Sequence, residues 1–102
     1  MKRFAVIVAP SAGQQARLIA EWWRSNRLAA ADLFDGELEA VLGRLAVAPA
    51  SGSKYRESKG RLVRRLLMPR TSHHVYFEID EEKSRVDVVA VWHTARGKGP
   101  PL

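Results

Sequence analysis

The chain of 102 residues contains no cysteine. That absence removes disulfide bridges, thiolate zinc sites and thiol nucleophiles together. Glycine and proline are sparse, at 7 and 5 residues, so the sequence is neither collagen-like nor low-complexity. No apolar run approaches the roughly 20 residues that a membrane-spanning helix needs. The stretch from Met1 to Pro10 has two basic residues but no long apolar segment and no A-x-A site, so it does not read as a signal peptide. Metal-ligand spacing is missing too. His73, His74 and His93 are the only histidines, and His73 and His74, as neighbours on a strand, point to opposite faces. Gly97 and Gly99 precede two prolines rather than a helix, which excludes a glycine-rich phosphate loop. Nothing marks one serine above another as a nucleophile. The expectation is one cytoplasmic domain over residues 1–102, with no metal, no cofactor and no membrane partner.

What is present is ordinary apolar content, 46%, and an unevenly placed positive charge of +6. Lys54, Arg56, Lys59, Arg61, Arg64, Arg65 and Arg70 stand in one window against a single acid, Glu57. That window alone carries the surplus of the whole chain. Such a patch attracts polyanions, either nucleic acid or an acidic protein segment.

Periodicity predicts the elements. Lys2 to Val8 reads as a short, mostly buried strand closed by Pro10. Ser11 is placed to cap a helix over about 11–25, with Ala12, Ala16, Ile19 and Trp23 recurring at steps of three and four. A second helix carries Leu33 or Phe34, Leu38, Val41, Leu42 and Leu45 and stops at Pro49. The short join at Ser25–Leu28 predicts an antiparallel helical hairpin. Ala50 to Gly60 reads as a polar loop. Three strands follow: Arg61 to Met68, His74 to Ile79, and a Val-rich central strand from Arg85 to Trp92, with DEEKS as a charged turn. About residues 95–102 form an irregular tail. The predicted fold is α+β: an antiparallel sheet in the order β-α-α-β-β-β, with the helical hairpin on one face.

Successive strands carry a basic and aromatic group of residues that could gather near one sheet surface: Arg64 and Arg65 on one strand, His74 and Tyr76 on the next, and His93 with Arg96 after the third. Arginines that bind phosphate and a histidine that moves a proton are the parts of metal-free RNA cleavage. The plainer reading has the arginines flanking a partner groove and His93 ending a strand. Trp22 and Trp23 lie about 100° apart on their helix, so one faces the core and the other either covers the helix edge or anchors a partner.

The order of elements, with RLVRRLLM (Arg61–Met68), HHVYFEID (His73–Asp80) and VDVVAVWHTARG (Val86–Gly97), resembles toxins of the RelE/ParE superfamily, the toxic halves of bacterial type II toxin–antitoxin pairs. The RelE-like branch consists of ribosome-dependent mRNA interferases. Against its pattern, Arg64 matches one cation of the family's second strand, the next falls near Leu66, the third-strand arginine falls on His73, an arginine after the last strand falls on Thr94, and a tyrosine of the C-terminal segment falls near Pro100. The ParE-like branch poisons DNA gyrase, and the WHTARG ending and Trp-bearing hairpin fit it better. The resemblance therefore implies a gyrase inhibitor acting by binding, not an enzyme, with Arg64, Arg65, Arg96 and Lys98 as target-binding residues. The alternative it leaves is an mRNA interferase acting on ribosome-bound mRNA, with Arg65, His74, His93 and Arg96 as catalytic residues. A toxin remnant that only binds its antitoxin is a third. The implied antitoxin is ParD- or RelB-like with an acidic C-terminal segment. Trp22, Arg24, Arg27, Lys54, Arg56 and Arg61 are the candidates to bind it, and promoter DNA is reached only through it.

Overall fold

A computed structural model describes residues 2–102; Met1, the first residue of the stretch judged not to be a signal peptide, lies outside the described residues. The elements are β1 (Ala5–Val8), α1 (Pro10–Asn26), α2 (Leu33–Val47), β2 (Ser53–Ser58), β3 (Arg61–Met68), β4 (His73–Asp80) and β5 (Arg85–His93). The sheet order is β1-β5-β4-β3-β2, with β1 parallel to β5 and every other pair antiparallel. The fold is α+β with both helices on one face, as the periodicity predicted.

The helical periods place the core where they should. Ala12 and Ala20 of α1 and Phe34, Val41 and Leu45 of α2 are buried against Met68, Val75, Phe77, Val86, Val88 and Val91 of the sheet. Ile19, Trp23, Leu38 and Leu42 pack around them. Ser11 does not cap α1. Pro10 instead takes the first helical position, where its fixed φ suits the helix and its missing N–H was never needed. The join between the helices is also longer than expected, running through a 3₁₀ turn at Leu28–Ala30.

Two strands depart from expectation. β1 begins only at Ala5 and is an edge strand, so Ile7 and Val8 are half-exposed rather than buried. The segment from Ala50 to Gly60 is not a loop but contains β2. Ser58 pairs with Arg61, leaving Lys59 (φ 53°) and Gly60 (φ 76°) as a two-residue turn with both residues left-handed. That conformation matches strand twist and makes Gly60 the natural second residue.

Bulges set which side chains face which way. Tyr76 pairs with Ala90 and Phe77 with Val88, so Val89 is an extra residue in β5. It returns Val91 to the helix side beside Val86 and Val88, which strict alternation would have forbidden. In β2 the register shifts between Lys54 and Arg56, leaving Tyr55 as the extra residue.

The face without helices holds a second core. Val63, Tyr76 and Ala90 are 1%, 3% and 1% exposed there. Tyr55, Val89, Trp92 and Leu102 pack against them. The tail is irregular, as expected, yet it lies across the sheet: Trp92 Nε1 donates to the Lys98 carbonyl at 3.0 Å and Pro100 is buried. Gly99 passes so close to the Tyr55 hydroxyl that a Cβ would collide with it.

Glu37 ties the two layers together. Its carboxylate accepts from the backbone N–H groups of Arg70 (2.8 Å) and Thr71 (3.0 Å) and from the Thr71 hydroxyl (2.6 Å). This clamps α2 to the β3–β4 turn. Glu37→Ala removes all three acceptor contacts and is expected to lower stability by about 2 kcal/mol, read as a drop in the urea midpoint.

Candidate functional site

Four strands and the tail aim a set of cationic and aromatic groups into one cleft of about 290 Å³ on the helix-free face, Tyr55 of β2 among them. Arg65 comes from β3, His74 and Tyr76 from β4, Trp92 from β5, and Arg96 from the segment after it. The Arg65 guanidinium carbon lies 4.9 Å from the Tyr55 ring centroid, and its Nη1 donates to the Tyr76 hydroxyl at 3.5 Å. Arg96 stacks over Trp92 at 4.2 Å. Stacking holds each guanidinium in place while leaving its N–H groups available to an anion.

His74 sits 5.9 Å from the Tyr76 ring, and its pKa is lowered, first by burial and then by the charge of Arg65. It is therefore neutral at pH 7 and can accept a proton or a hydrogen bond. His93 stands at the exposed end of β5, where its Nδ1 accepts from the Ala95 N–H at 3.0 Å.

The predicted set is gathered in part. Arg65, His74, Tyr76, His93 and Arg96 share the cleft lining. Arg64 does not: its side chain donates to the Gly52 carbonyl at 3.1 Å. Neighbours in a strand face opposite sides, so a pair of adjacent arginines never acts on one ligand there. Lys98 is exposed beyond the cleft, and it is its carbonyl that contacts Trp92.

The residues predicted to bind an antitoxin fall into two separate groups. On α1, Trp22 is 47% exposed while Trp23 joins the core, so Trp23 is the core member of the pair. Arg27 stacks on Trp22 at 5.1 Å, and Arg24 pairs with Asp35 at 3.1 Å. Lys54 and Arg56 lie on the edge strand β2, and Arg61 of β3 pairs with Glu78 at 3.2 Å.

Two residues of the cleft escaped the sequence reading. Tyr55 reaches the cleft only through the β2 bulge, which no local pattern signals. Trp92 enters the sequence reading only as the end of the Val-rich strand, although its place beside His93 marks it as a strand-end aromatic, and it lines the cleft. His73 turns away from His74 to the helix side, with its ring 5.3 Å from Phe34 and 5.0 Å from His93. Burial, with the charge of His93 added, lowers its pKa to about 4, against weaker opposing pulls from the Thr71 backbone and Glu37. Its Nδ1 has no hydrogen-bond partner among the described residues.

No three histidine, aspartate or glutamate side chains form a metal cluster among the described residues, and no helix is long and apolar enough to cross a membrane.

The fold is shared with known toxins. The chromosomal ParDE toxin–antitoxin system of P. aeruginosa contains a chain that superimposes with a TM-score of 0.71 at 13% identity, covering 91% of this chain and 98% of that one. The RelBE2 toxin–antitoxin complex of Mycobacterium tuberculosis gives 0.64 at 18% identity, with 91% and 93% covered. The isolated E. coli RelE toxin gives 0.52 at 15% identity, with 93% and 88% covered. No curated protein matches by sequence. The family described as the ParE toxin of the type II toxin–antitoxin system parDE matches residues 6–97, nearly the full length of the chain. The chain thus belongs to the ParE toxin family, within the RelE/ParE superfamily of type II toxin–antitoxin toxins.

Proposed function

We propose that this toxin inhibits DNA gyrase by binding rather than by catalysis, and that a cognate antitoxin with an acidic C-terminal segment holds it inactive in the cytoplasm. The observation that carries this reading is the composition of the cleft: stacked cations without a matched proton donor and acceptor. Metal-free cleavage of a phosphodiester needs both, on opposite sides of the phosphorus. His74, its pKa lowered by burial and by Arg65, is suited to take up a proton rather than give one, and His93 stands at the rim with Nδ1 already engaged. Arg65 and Arg96 are then contact residues for gyrase or its cleaved DNA, with Lys98 beside them. Arg64 has no part in this contact.

The test adds antitoxin-free protein to gyrase, ATP and relaxed plasmid. Supercoiling should be lost or double-strand breaks trapped, and the antitoxin should reverse the effect. Arg65→Ala combined with Arg96→Ala should raise the half-inhibitory concentration at least about tenfold, since each lost charge-assisted contact contributes roughly 1.5–3 kcal/mol. Unaffected gyrase, with folded protein that still stops growth, would overturn the reading.

One observation favours an mRNA interferase as the second reading: Arg65, His74, His93 and Arg96 line the same cleft. Cleavage of mRNA on translating ribosomes, lost in His93→Ala and Arg96→Ala with antitoxin binding intact, would establish it.

A further inference from the structure

Two hollows lie on the helix side of the strand ends and meet the open-face cleft at His93. One, of about 450 Å³, is walled by Ile19, Trp22 and Trp23 and flanked by Arg27 and Arg70. The next, of about 330 Å³, runs along α1 past Leu18 to Arg96. All three hollows include His93 in their lining, so they form one continuous rim around the ends of β4 and β5.

The rim is chemically one-sided. Four arginines (Arg27, Arg65, Arg70 and Arg96) line it, and no aspartate or glutamate does among the described residues. Glu78, Asp80, Glu81, Glu82 and Asp87 line the hollow at the opposite end of the sheet, where Arg61, Lys83 and Arg85 stand among them. A polyanion is therefore drawn more strongly to the rim, whose charged groups are of one sign.

Charge alone does not separate a nucleic acid from an acidic peptide; the aromatic rings do. Three guanidinium–ring stacks stand along the rim: Arg65 on Tyr55, Arg96 on Trp92 and Arg27 on Trp22. Flat rings and guanidinium planes receive unstacked bases, whereas a peptide carboxylate uses only the charge. Trp22 and Leu18 are left 47% and 54% exposed beside the hollows. A duplex keeps its bases stacked inside and offers the rings nothing.

We propose that this rim is a binding site for single-stranded nucleic acid, with the strand running from the open-face cleft past His93 into the hollow beside α1. Binding requires neither gyrase nor a ribosome, so it stands apart from the choice of target.

The test uses the purified chain and a fluorescein-labelled 12-nucleotide oligothymidine, followed by anisotropy and by intrinsic tryptophan fluorescence at about 50 and 200 mM salt. A duplex of equal length and poly-glutamate are the comparison ligands. Single strands should bind at least about tenfold more tightly than the duplex and quench tryptophan emission. Arg70→Ala and Arg96→Ala should each weaken binding about five- to tenfold and lower the salt slope by about one. Trp22→Ala should remove much of the quenching at nearly unchanged slope, with fold checked by circular dichroism. Equal affinity for the duplex would overturn the site, as would displacement by poly-glutamate at matched charge. So would a larger loss from Lys54→Ala and Arg56→Ala on the β2 edge than from the rim variants.

Discussion

Phe77→Ala is expected to lower stability by about 3–5 kcal/mol, a large share of the roughly 5–15 kcal/mol that holds a small domain together. The corresponding fall in Tm is at least about 12 °C for a chain of this size. Phe77 is fully buried on β4, between the helices and the start of β2. Its ring reaches Gly52, where an added Cβ would stand 2.6 Å from Cζ and 3.1 Å from the Arg65 carbonyl. Gly52 has an ordinary extended backbone (φ −74°, ψ 152°), so space and not conformation excludes a side chain there. Gly52→Ala should thus cost about 1–3 kcal/mol in the natural chain. In a Phe77→Leu background the ring is gone and the same change should cost markedly less. Thermal melts of the four proteins in this double-mutant cycle measure the coupling. Strictly additive losses would show that the ring and the glycine do not share one space.

Acid should destabilise the protein through His73. Its folded-state pKa is lowered from 6.5 to about 4, so between those values the unfolded chain binds a proton that the folded chain refuses. The resulting penalty is absent above pH 6.5 and grows as pH falls, reaching about 3 kcal/mol by pH 4. Burial beside Phe34 is the main cause, and the coulombic influence of the neighbouring His93 adds to it. Glu37 opposes weakly, its carboxylate already engaged by the β3–β4 turn. Carboxylates elsewhere also titrate in this range, so the measurement is a difference. His73→Phe removes the titrating group while keeping an aromatic ring against Phe34, and its stability should decline less between pH 6.5 and pH 4. Parallel decline of the two proteins would overturn the assignment.

Much of this molecule is local and was readable in the chain. The 3.6-residue period gave both helices and their buried faces, because a helix positions its side chains without reference to anything distant. Alternation likewise placed Val75, Phe77 and Ile79 opposite Tyr76 on β4, and the valines of β5 on a central strand. The opposed directions of His73 and His74 followed from the same rule. The likeness of RLVRRLLM, HHVYFEID and VDVVAVWHTARG to the superfamily pointed to the family that the full-length match then established.

What the sequence could not determine rests on pairing between distant segments. β2 is polar on an edge, and only its register against β3 makes it a strand. The Val89 and Tyr55 bulges exist because partners across the sheet are one residue shorter, and they alone bring Val91 to the core and Tyr55 to the cleft. Alternation puts Arg64 and Arg65 on opposite faces, but only the packing of helices and tail decides that Arg64 meets Gly52 and Arg65 the cleft. The tail has no periodic pattern of its own. Its place was decided by an uncovered apolar face formed by Val63, Tyr76 and Ala90, which a sheet with helices on one side must hide from water.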